Sequence, residues 1–180
     1  MSYSESDIGI VEVIMDISLL SRRYFVKKLN ESDAANVYEL CRRNTLYYQY
    51  CPPFVSEQSI IEDMNALPPN KDFCDKYYLG YYNEQKLIAV MDLIMDYPDE
   101  SIAFIGFFMT DVSVQNAGVG SEIIDELCRK LMEAGVKSIR LGWVKGNPQA
   151  ESFWHKNKFV ETGTAYNTDN YTVIVAQRKL

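Results

Sequence analysis

Gln115, Gly118 and Gly120 have the types and spacing best suited to chemistry in this chain. The loop from Gln115 to Gly120 carries no charged side chain, and its glycines let a ligand approach the backbone closely. Ahead of it run the apolar residues Phe104 to Met109. Behind it, Val119, Ile123, Ile124, Leu127 and Leu131 recur near helical spacing, while Glu122, Asp125, Glu126, Arg129 and Lys130 take other faces. The stretch from Phe108 to Ser121 therefore reads as strand, turn, helix. The first N–H groups of such a helix have no partner within it, so the turn can receive phosphate oxygens. The spacing is not GxGxxG, because Ile123 stands three residues beyond Gly120, and no Gly-Lys-Ser/Thr follows as a triphosphate loop requires. A tight turn whose glycines serve only the backbone is the other reading of the same residues.

Two further positions carry chemical weight. Asp92 stands alone among the apolar residues 87 to 95; a carboxylate inside a strand is costly to bury unless it is paired or used, or else it lies on the exposed side of an alternating strand. Asn147 precedes Pro148, a helix start in which the first residue caps and the second occupies the first helical position. Trp143, just upstream, is core or pocket wall. The one histidine, His155, and four cysteines without a CxxC pair (Cys41, Cys51, Cys74, Cys128) give no zinc cluster, so no metal is expected.

These residues need elements to position them. Residues 24 to 29 read as a first strand, followed by a helix capped by Asn30 or Ser32 and running to about Arg43. Pro52 and Pro53 forbid regular helix in the aromatic stretch 47 to 54, and a second helix runs from about Ser56 to Leu67. Residues 77 to 82 and 86 to 95 form a hairpin, and residues 101 to 110 are the strand that feeds the glycine loop. Gly135 stops the central helix, residues 139 to 145 are a strand, a helix starts at Asn147, and residues 159 to 166 and 171 to 178 form a last hairpin. The order is one strand, two helices, three strands, helix, strand, helix, two strands. It predicts an α/β (α+β) fold with a mixed, mostly antiparallel twisted sheet of six or seven strands flanked by about four helices.

Gln115, Gly118 and Gly120 resemble the QxxGxG signature of the GNAT superfamily of acyl-CoA-dependent N-acyltransferases. A second match lies in order downstream: Asn147, Ala150, the pair Phe153 and Trp154, and Phe159 are similar to the later segment of that family. The resemblance covers residues 22 to 180 as one domain and leaves residues 1 to 21 as an extension of open role. Two positions depart from the pattern, Trp154 where the family commonly has Tyr and Lys158 where it commonly has Gly. An indole N–H donates a hydrogen bond but gives up no proton near neutral pH.

The resemblance implies acetyl-CoA, or a close acyl-CoA, as donor, with its pyrophosphate on the N–H groups of Gln115, Asn116, Ala117, Gly118, Val119, Gly120 and Ser121. It further implies that backbone groups of Phe108, Met109 and Thr110 pair with the pantetheine arm, that Thr110 N–H polarises the thioester carbonyl, and that Asn147 and Phe153 touch the cofactor. Tyr47, Tyr48 and Tyr50 then wall an acceptor pocket, or pack as a half-buried aromatic patch. The acceptor amine must lose its proton, which for a lysine-like amine at pH 7.4 costs roughly 4 kcal/mol. Residues 101 to 110 hold no carboxylate, so Asp92 is the candidate base, a chain of waters is another route, and Trp154 shapes the site.

At 180 residues with 47% hydrophobic and 24% charged side chains, the composition is that of a globular protein, and the net charge of −7 argues against a nucleic-acid partner. No run approaches the roughly 20 apolar residues of a membrane span, and the acidic N-terminus has the wrong polarity for a secretory signal, so a cytoplasmic location is expected. The acceptor is a small-molecule amine or a protein amine, and a homodimer is compatible with the sequence. Two other classes stay open at this level: a non-catalytic acyl-CoA-binding module on the same fold, and an α/β interaction domain that binds no nucleotide.

Overall fold

In the computed structural model, residues 15 to 180 are described. Seven strands form one sheet in the order β1-β2-β3-β4-β5-β7-β6: β1 (Phe25–Lys28), β2 (Lys76–Asn83), β3 (Lys86–Ile94), β4 (Ile102–Thr110), β5 (Ser138–Val144), β6 (Val160–Asn167) and β7 (Thr172–Lys179). Among the described residues, five helices flank it: α1 (Ala34–Cys41), α2 (Thr45–Tyr50), α3 (Glu57–Asn65), α4 (Val119–Glu133) and α5 (Pro148–Lys156). All neighbouring strands are antiparallel except β4 and β5, which α4 connects as a parallel crossover.

Alternation along the strands divides the core in two. Ala89, Met91 and Leu93 face α4, whose Ile123, Ile124, Leu127 and Leu131 are completely buried. Val90 and Tyr78 face the other side, against Val37 and Leu40 of α1 and Ile60 and Met64 of α3. Asp92 continues the row of Val90 and is mostly buried, so the reading that put it on an exposed strand face does not hold.

Local signals set most helix starts. Asn30 caps the turn Glu31–Asp33 with Asp33 closing a capping box, Ser56 caps α3 reciprocally with Ser59, and Asn147 caps α5 with Pro148 in its first turn. The short helix α2 differs from the expectation of no regular helix. It ends at Tyr50, before the ring of Pro52 or Pro53 can obstruct it. Residues 1 to 14 of the expected extension lie outside the described residues; its remainder packs on α4, with Leu20 buried and the Ser21 hydroxyl donating to Glu126 Oε2 at 2.6 Å. No helix among the described residues is long and apolar enough to cross a membrane, and these residues bring together no group of three or more potential metal ligands.

Candidate active site

The parallel pair that holds the sheet together at its centre also opens it. Pairing between β4 and β5 runs from Ile102↔Ser138 to Ile105↔Leu141 and stops, although β4 continues to Thr110 and β5 to Val144. The strands splay at this point, and a cleft of about 720 Å³ lies between them, floored by residues 104 to 110 and walled by α4, α5 and Tyr47 of α2. Asp111 N–H donates to the Ile88 carbonyl on β3 at 2.8 Å. By the alternation of an antiparallel ladder, Met109 also turns its N–H and C=O toward β3, whereas Phe108 and Thr110 present theirs to the splay. Of the three residues expected to pair with a pantetheine arm, Met109 is thus turned away. The Thr110 carbonyl is taken by Asn44 Nδ2 at 3.2 Å and Gln115 Nε2 at 3.3 Å, which leaves its N–H facing the cleft.

The glycine loop does two separate jobs. Gly118 sits at φ 84° with nothing near where a Cβ would stand, so left-handed backbone is its requirement. At Gly120 a Cβ would meet the Phe153 ring at 3.0 Å, so there glycine lets α4 and α5 approach. The first helical hydrogen bond runs from Glu122 N–H to the Gly118 carbonyl, and the N–H groups of Val119, Gly120 and Ser121 have no acceptor within the helix. Asn116, Gly118, Gly120 and Ser121 line the cleft; Val119 is buried in the core, and Ala117 is outside the lining. Gln115 acts through its side chain, which donates to Asn44 Oδ1 at 2.6 Å and ties the loop to the end of β4.

Across the cleft, Asn147 is buried, and its Oδ1 accepts from the N–H groups of Gln149 and Ala150 at 3.2 Å each, the capping role its position predicts. Phe153 stacks on Phe108 at 5.8 Å, and Trp154 packs between Phe153 and Phe159 as a buried wall. Trp143 is both core and pocket wall, and His155 lies outside the cleft with its ring edge on Trp143.

The opposite end of the cleft is aromatic. Tyr47 meets Phe107 edge to face at 5.9 Å, and Tyr171, from the turn between β6 and β7, shares Cys51 with it. Burial pushes the Tyr47 phenol well above its usual range, and the hydrogen bond with Cys51, followed by burial, pushes Tyr171 up to about 12, so both hydroxyls stay protonated near neutral pH. Of the three expected tyrosines, Tyr47 alone lines the cleft; Tyr48 packs on Phe54, and Tyr50 is half-buried elsewhere. Asp92 lies under the floor. Its Oδ1 stands 2.8 Å from Lys76 Nζ, while its Oδ2 is 2.8 Å from where a Cβ on Gly106 would be, and Gly106 lines the cleft. Burial raises the Asp92 carboxyl above its ordinary value, and Lys76 opposes the rise.

Sequence reasoning missed Asn44, Cys51, Gly106 and Tyr171. A glycine inside the strand 101 to 110 signals a bulge, and one occurs here, where Asp92 pairs with Phe107 but Leu93 pairs with Ile105. For Asn44, Cys51 and Tyr171 no local signal exists, because each gains its place from an element distant in sequence.

A family model described as the acetyltransferase (GNAT) family matches residues 37–159. The chain belongs to the GNAT family. The match spans both glycine-loop and α5 motifs, so the protein is an acyltransferase built on the GNAT fold. No curated protein matches the sequence. Solved GNAT structures are similar in fold at low identity. An acetyltransferase from Thermus thermophilus superposes with a TM-score of 0.70 at 15% identity, covering 87% of this chain and 97% of its own. The PaiA N-acetyltransferase from Thermoplasma acidophilum, in complex with coenzyme A, gives 0.64 at 16% over 87% and 99%. The ribosomal-protein-S18-alanine N-acetyltransferase from Escherichia coli gives 0.63 at 16% over 87% and 93%.

Proposed function

We propose that this acyltransferase moves the acetyl group of acetyl-CoA to a primary amine by direct attack, with both substrates bound in the cleft between β4 and β5. The observation that carries the reading is the convergence of open backbone donors, Thr110 N–H on β4 and the N–H groups of Gly120 and Ser121 on α4, on one cleft that also holds an aromatic cluster. The α4 end suits a pyrophosphate, because its open N–H groups and the helix dipole both favour anions. The β4 edge suits an extended amide-bearing arm, with Phe108 offering both N–H and C=O. Thr110 N–H is the donor for the developing oxyanion, an interaction worth roughly 3 kcal/mol in other enzymes.

The acceptor enters at Tyr47, Phe107 and Tyr171. Asp92 accepts its proton across Gly106, an elevated carboxyl being better matched to that task than an ordinary one. Trp154 shapes the site and leaves the acid step to solvent, since a thiol of ordinary pKa near 8.5 needs little help in leaving. A small amine and a protein amine both suit this end; one fold neighbour acts on a ribosomal-protein alanine. The unpaired cysteines, two of them buried, fit a reducing cytoplasm.

Calorimetric titration with acetyl-CoA of the parent and of Gly118→Val tests the donor site, followed by thiol release across an amine library. Binding by the parent, and its loss in a folded variant, is expected. A folded parent that binds no acetyl-CoA overturns the proposal.

A further inference from the structure

Asp92 belongs to a buried charged cluster whose other members the reaction has not yet used. Lys76, on β2, is only 3% exposed, and its ammonium reaches Asp92 Oδ1 at 2.8 Å and the Tyr78 ring face at 5.8 Å. We propose that Lys76 is a positioning residue for acetyl transfer and that Gly106 is the window through which it acts: Lys76 holds one oxygen of Asp92 in carboxylate form, leaving Oδ2 aimed across Gly106 at the acceptor amine. The inference rests on Asp92 being the base.

The geometry assigns the two oxygens different partners. Oδ1 faces the ammonium; Oδ2 is the atom that a Cβ on Gly106 would touch, and Gly106 is exposed in the cleft. The groups facing Asp92 are Lys76 and Tyr78 from β2 and Asp63 from α3, with Cys41 of α1 and Tyr48 of α2 behind Tyr78; Gly106 and Phe107 of β4 bring no titratable side chain. Lys76 is the one cation in that set. Burial drives Asp92 and Asp63 toward their neutral forms, and the charge of Asp92 raises Asp63 further, so without Lys76 the cluster holds two carboxyls with nothing to keep either ionised. In the transfer itself, Oδ2 takes one proton from the acceptor ammonium, and the freed lone pair forms the carbon–nitrogen bond at the thioester carbon. The tetrahedral adduct collapses with cleavage of the carbon–sulfur bond, the nitrogen gives its second proton to solvent to leave the neutral amide, and solvent protonates the departing thiolate.

Gly106→Ala makes a clean probe, because the three heavy atoms nearest its added methyl all belong to the Asp92 side chain, with Oδ2 closest. Three variants, Lys76→Met, Lys76→Arg and Gly106→Ala, are compared with the parent by the pH profile of kcat/KM for an accepted amine. Alongside it run carbon NMR titration of the Asp92 carboxyl and calorimetric affinity for acetyl-CoA. Lys76→Met is expected to move both the Asp92 titration and the acidic limb of the profile upward by about one pH unit or more, and Lys76→Arg to restore them. Gly106→Ala is expected to lower kcat/KM about tenfold or more with acetyl-CoA affinity unchanged. If the Asp92 titration moves and the kinetic limb does not, Asp92 is not the base, and the inference falls with it. An Asp92 titration unmoved by Lys76→Met overturns the role of Lys76 alone. Should Lys76→Met fail to fold, Gly106→Ala decides: full activity there removes the window and the inference.

Discussion

The end of the cleft proposed for the donor is lined by Thr110, Gly120 and Ser121, whose backbone N–H groups are open, whereas the end proposed for the acceptor is lined by the side chains of Tyr47, Cys51, Phe107 and Tyr171. The donor end depends on conformation: a left-handed residue at 118, a helix that begins at 119, a strand whose edge is left free beyond Ile105. The acceptor end depends on which side chains happen to meet, from α2, β4 and the turn before β7. The donor end should therefore tolerate most side-chain changes and fail when the backbone is forced. The acceptor end should respond to single side chains while the donor still binds.

Asp92→Asn should break the two ends apart most sharply. It removes the proposed general base, so kcat/KM should fall by roughly 10²–10⁴, while calorimetry finds acetyl-CoA affinity intact; a parallel loss of donor affinity would mean the ends are not separable. The parent should lose kcat/KM as pH falls through the Asp92 pKa, because only the ionised carboxyl accepts a proton, and that limb should lie above the ordinary value of 3.8. Forcing the backbone comes next. Gly118→Val places a β-branched residue at φ 84°, a strain of about 1–3 kcal/mol, and acetyl-CoA affinity should drop about tenfold or more. Tyr47→Ala should raise the acceptor KM about tenfold with donor affinity unchanged, and Tyr47→Phe should leave both near the parent because the phenol stays protonated. The smallest change is expected from Asn147→Ala, which removes the α5 cap and should cost about 1 kcal/mol in thermal unfolding.

The donor end was the more legible in the sequence, and the reason is local. Gln115, Gly118 and Gly120 encode a turn and a helix start within a few residues, and Asn147 with Pro148 encodes the next one. Even there the division of labour was hidden. That Gly118 serves a backbone angle and Gly120 serves the Phe153 ring follows from packing, and that Met109 faces β3 follows from register. At the acceptor end, the tyrosines at 47, 48 and 50 looked equivalent, but α2 turns only Tyr47 toward the cleft.

The sequence by itself determined the order of the strands and of every helix but α2, the helix starts at Ser56 and Asn147, and the glycine turn ahead of α4, because these depend on spacing, capping and backbone freedom within one or two turns of chain. Only the tertiary structure decided that β4 and β5 part beyond Ile105, that Tyr171 meets Cys51, and that Lys76 and Asp63 surround Asp92 beneath Gly106. Those relations join residues far apart in the chain, and their energies arise from burial and from charges brought into contact, neither of which exists until the sheet has formed.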